Sequence, residues 1–89
     1  MTFEQAQLRK TELDEILDFL FKSDDLKDRL MRLKVARNEM NDPRYRADIA
    51  MVAVTDPRHP KVWRFNECCR REKEIGEAIE VYETLLAGI

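Results

Sequence analysis

The sequence predicts an all-α domain, and three observations carry that prediction. No glycine or proline occurs between Met1 and Asp42. Apolar residues recur every three or four positions, at Leu13, Ile16, Leu17 and Leu20, and again at Val62, Phe65, Cys69, Ile75, Ile79, Tyr82 and Leu86. Such spacing puts one apolar side chain per turn on a single helical face. Asn41-Asp42-Pro43 and Thr55-Asp56-Pro57 each read as a capping side chain followed by proline at the first helical position.

The first helix is expected over about 2–22, with Thr2 capping its start and Gln5 completing a weak capping box. Its apolar stripe, widened by Phe21, would continue to Asp24 and Lys27 if the helix ran on. The next stripe instead begins at Leu26 and passes through Leu30 and Leu33 to Met40, out of phase with the first. Ser23, Asp24 and Asp25 lie between the two and supply oxygens for the free amides of a new helix over about 24–41. The two helices are expected to form an antiparallel hairpin, acidic against basic. One continuous helix of about forty residues is the competing arrangement.

A third helix is expected over 43–54. From Ala47 to Val54 only Asp48 interrupts the apolar run, so this helix would be buried on most sides. A strand through the β-branched Ile49, Val52 and Val54 is the alternative, but it would have no partner in the chain. Arg58-His59-Pro60 is a connector, because a residue before proline is pushed away from helical angles. The last helix is expected over 61–87, with a break in its stripe at Glu72. Gly76 inside it suggests close approach of another helix, and Gly88 suits its end.

These segments make one domain, 1–89, a small bundle of three to four helices. A chain this short buries only about 60 to 65% of the surface its unfolded form exposes. Charged residues make up 38% of it, so the core is thin and self-association, as a homodimer or higher oligomer, is expected. No apolar run reaches the roughly 18 residues of a membrane span, and Met1 to Lys10 has no apolar signal-peptide core. Cys68 and Cys69 are neighbours in sequence and poorly placed to bridge each other, which fits free thiols and a cytoplasmic location.

The net charge of −2 is unevenly spread, with −4 over residues 1–26, +6 over 27–73 and −4 over 74–89. His59, Cys68 and Cys69 are too few and wrongly spaced for zinc, so no metal or other cofactor is expected. Cys69 lies on the apolar stripe, where a thiol serves as a small hydrophobe and not as a nucleophile. With two glycines and one serine, the chain has neither a phosphate-cradling loop nor a serine-centred motif. No catalytic residue is expected.

The basic middle is the informative part. Arg37, Arg44, Arg46, Arg58, Lys61 and Arg64 surround Tyr45 and Trp63 in the sequence. Arginine and large aromatics are the residue types that dominate protein-binding hot spots. The expected role is therefore non-catalytic protein binding, as an adaptor, inhibitor, chaperone or regulator, with an acidic partner. The alternative is a nucleic-acid-binding regulator that holds phosphates with the same arginines, its helices over 43–54 and 61–73 mimicking a helix-turn-helix. A pI of about 5.4 and acidic ends oppose the alternative.

Overall fold

A computed structural model describes residues 1–88, and every regular element in it is helical. Five α-helices follow one another: α1 (Phe3–Ile16), α2 (Leu26–Asn41), α3 (Pro43–Thr55), α4 (Pro60–Arg70) and α5 (Glu72–Ala87). A short 3-10 turn, Asp18–Leu20, follows α1. Residues Ile49 to Val54 are helical, so the strand alternative falls.

The caps are those the side chains dictate. Thr2 accepts from the Gln5 amide while the Gln5 side chain accepts from the Thr2 amide at 2.9 Å, a complete capping box. Asp25 caps α2 through the Lys27 amide, and Asp42 caps α3 through the Arg44 amide with Pro43 in the first turn. His59 caps α4 with its ring Nδ1.

Three expectations need correction. The bundle has five α-helices instead of three or four, because the expected last helix breaks at Arg71, whose φ of −105° and ψ of 21° interrupt the coil. The expected first helix ends at Ile16, and the 3-10 turn takes over its last residues. Nor do α1 and α2 form a hairpin: each packs along α5, and α5 lies between them. Phe3 lies against Gly88 and Arg9 pairs with Glu77, so α1 runs antiparallel to α5. Leu30 neighbours Leu86 while Met40 neighbours Phe65 and Cys68, so α2 is antiparallel to the α4–α5 arm as well. The segment from Leu17 to Asp25 must therefore carry the chain back along the bundle.

One apolar core joins Ala6, Leu13 and Leu17 to Leu33, Ala36 and Met40 through Ile75, Ile79, Tyr82 and Leu85 of α5. The break at Arg71 resets the helical phase between α4 and the Ile75–Tyr82 stripe of α5, so the apolar register does not carry over from one to the other. Cys68 is the buried cysteine, and Cys69, expected on the apolar stripe, is exposed.

At the opposite side of the fold, α3 and α4 pack on each other and on α2, leaving a body 46 × 22 × 20 Å. Its radius of gyration of 14.2 Å exceeds the roughly 12 Å of a compact domain of this length. Only Ile49 of α3 is fully buried, whereas Met51 and Val54 face solvent, so α3 is covered on one side and not on most sides. Gly76 has nothing within 4 Å of the place a β-carbon would occupy, so no helix approaches there. Among the described residues no helix is long and apolar enough to cross a membrane.

Candidate functional site

The end of the molecule where α3 and α4 meet the last turns of α2 gathers half of the residues singled out from the sequence. Phe65 projects from α4, and the Tyr45 ring packs against it at 5.8 Å between centroids. The Lys61 ammonium lies 5.2 Å over the Tyr45 ring, and the Arg46 guanidinium lies 6.0 Å from the Phe65 ring. Arg46 also donates from Nη1 to the Met40 carbonyl oxygen at 2.9 Å, satisfying an acceptor that the end of α2 leaves open. Arg64 completes the group. With Tyr45, Glu39, Phe65 and Cys68 it lines a cavity of about 10 Å³, about the space of one water molecule.

Burial, with the Glu39 carboxylate second, pushes the Tyr45 hydroxyl up to about 12. Burial also pushes the Cys68 thiol up to about 11, against the opposing pull of Arg64. Cys68 is therefore a neutral thiol near neutral pH, the form that does not attack electrophiles. His59 Nδ1 accepts from the Lys61 amide at 3.0 Å, which commits that lone pair to capping α4. Among the described residues, no three histidine, cysteine, aspartate or glutamate side chains converge as metal ligands would.

The other four candidates stand outside this cluster. Arg44 and Arg58 donate their backbone amides to Asp42 and Asp56, at 2.9 and 3.2 Å, and send their side chains into solvent. Arg37 is exposed on α2. Trp63 lies two residues beyond Lys61, about 200° around α4, and its ring meets Phe19 edge-on at 5.7 Å. Tyr45 and Trp63 consequently belong to different faces.

Ion pairing is uneven across the molecule. The ion pairs among the described residues use Arg9, Lys10, Arg29, Arg32 and Arg70 as cations. None uses Arg37, Arg44, Arg46, Arg58, Lys61 or Arg64. Six cations at and beside the α3–α4 end thus stand outside the ion pairs, although the Glu39 carboxylate shares a cavity with Arg64, and such cations can hold negatively charged groups without covalent chemistry.

Sequence reasoning passed over a second feature. Met31 and Val35 form an exposed ridge on α2 between two open grooves of about 270 and 190 Å³. The signal was present, since both residues fall off the stripe of Leu26, Leu30 and Leu33 yet are apolar. Compared with protein-family models, characterised proteins and solved structures, the chain matches none.

Proposed function

We propose that this protein binds another protein non-covalently through its basic α3–α4 end, and that the partner presents an acidic surface. One observation supports the reading above the rest: among the described residues none of Arg37, Arg44, Arg46, Arg58, Lys61 and Arg64 takes part in an ion pair, while Arg9, Lys10, Arg29 and Arg32 each do. An exposed, unpaired guanidinium gains more from an arriving carboxylate than one that must first leave an internal partner. Tyr45, Arg46, Lys61 and Arg64 form the centre, and Arg37, Arg44 and Arg58 steer the approach. Trp63, half exposed on the neighbouring face, serves as a separate apolar anchor. The reading assigns no catalysis and no cofactor, and it places the protein in the cytoplasm, where the thiols of Cys68 and Cys69 stay reduced.

Fluorescence anisotropy with a labelled polyglutamate peptide, beside a labelled DNA duplex, tests the proposal. The peptide should bind at low salt, and Lys61→Glu with Arg64→Glu should weaken it about tenfold or more without changing the helical circular dichroism. Tighter capture of the duplex, with a steep salt dependence, would transfer the site to nucleic acid. No binding of either ligand would refute it.

Self-association belongs to the same reading. Leu8, Met31, Val35, Met51 and Val54 all reach solvent from a chain whose core is small.

A further inference from the structure

The surfaces of α1 and α2 that face away from the core carry opposite charge around apolar centres. On α1, Glu4, Leu8, Thr11 and Glu15 recur at steps of four, three and four, so they share one face. That face lies opposite the buried Ala6, Leu13 and Leu17. Leu8 is 77% exposed, with carboxylates one and two turns away on the same face. On α2, Lys27, Met31, Lys34 and Val35 share the face opposite the buried Leu33, Ala36 and Met40. Met31 and Val35 are 60% and 45% exposed, and beside them a groove of about 270 Å³ reaches Leu86 of α5. Among the described residues, none of Glu4, Glu15, Lys27 or Lys34 takes part in an ion pair.

We propose that the occupant of the α2 groove is a second copy of this chain, which seats Leu8 of its α1 between Lys27 and Lys34. The proposal rests on the self-association included in the reading above and names the contact. Two α2 faces would bring ammonium groups together, and two α1 faces would bring carboxylates together. Only the unlike pair buries Leu8 against Met31 and Val35 while matching charges. The other exposed apolar pair, Met51 and Val54 on α3, has no such frame, because Arg44 and Asp48 beside it cancel. A contact between unlike faces is head-to-tail, so it grows with concentration or closes into a ring.

Sedimentation velocity on the full chain, from low to high salt, supplies the test. The wild type should associate with rising concentration and dissociate as salt screens the contact. Lys27→Glu/Lys34→Glu and Glu4→Lys/Glu15→Lys should each weaken association about tenfold or more, since each makes both faces alike. Mixing the two variants should restore association, because the acidic α1 face of one then meets the basic α2 face of the other. A wild type that stays monomeric at every concentration overturns both the contact and self-association. A wild type that associates regardless of either charge reversal, or variants that fail to rescue each other, overturns the contact alone. The polyglutamate titration on the wild type reads the α3–α4 end independently, through Tyr45, Arg46 and Lys61, although Arg64 also borders the smaller groove beside Met31 and Val35.

Discussion

Replacing Tyr82 with phenylalanine removes one hydroxyl and leaves the carbon contacts of the ring in place. Tyr82 is fully buried at the junction of α1, α2 and α5, with Phe21 edge-on to its ring at 6.0 Å. Its hydroxyl donates to Asp14 of α1 and accepts from Arg29 Nη1 of α2 at 3.3 Å. Arg29 also pairs with Asp14 at 3.0 Å and with Asp24 at 2.8 Å, and Lys10 pairs with Asp14. One phenol therefore fastens three helices. Burial, reinforced by the Asp14 carboxylate, raises the Tyr82 pKa and keeps the hydroxyl protonated as donor. A hydrogen bond to a charged group contributes about 1.5 to 3 kcal/mol. Asp14 keeps Lys10 and Arg29 after the substitution, so the loss should fall near the lower bound, about 1.5 kcal/mol. In a domain of this size that lowers Tm by roughly 6 to 12 °C. Thermal and urea denaturation followed by circular dichroism would measure it. A double-mutant cycle with Asp14→Asn should give a coupling of about 1 kcal/mol. A Tyr82→Phe protein as stable as wild type, or zero coupling, would refute the idea that this hydroxyl joins the helices.

Other outcomes follow from the same geometry. Gly76→Ala should stabilise by about 1 kcal/mol, because the added methyl meets open space in a helical, negative-φ position; a lowered Tm would contradict that. Stability should fall as pH rises from about 9 towards 12, since the unfolded chain releases the Cys68 and Tyr45 protons near 9 and 10 while the folded chain holds them to about 11 and 12. Cys68→Ala should remove the part of that alkaline loss that begins first, which urea midpoints across the pH range would show. A thiol-specific reagent should modify Cys69 at once and Cys68 only on unfolding; two equally fast thiols would mean that Cys68 is not buried.

Local chemistry made part of this fold legible. The Thr2–Gln5 box and the Asp42–Pro43 start are short-range signals, and the structure places helix ends at both. The α4–α5 break was marked by polar Glu72 on the stripe, but periodicity alone does not distinguish a skipped position from a bend. Nothing local ends α1 at Ile16. The 3-10 turn beyond it carries Phe19 to Trp63 and leads into Phe21, which packs on Tyr82, and these distant contacts override helix propensity. Exposure of α3 was hidden for a related reason: an apolar run states what the side chains prefer, not whether enough chain exists to cover them. At the candidate site, Tyr45, Arg46, Lys61 and Arg64 lie together around Phe65. Trp63 does not, because two steps along a helix turn a side chain to the other flank.

The position of α5 between α1 and α2 has a kinetic consequence. Arg9 of α1 meets Glu77 of α5, 68 residues away, and although Asp14 also reaches Arg29 of α2, most of the cover of α1 comes from that distant helix. Closing so wide a loop takes up chain entropy before any contact rewards it, and small helical proteins usually fold fast because their pairings are nearby. This one should fold slowly for its class. During synthesis, α1 and α2 would wait with their greasy sides uncovered until α5 emerges.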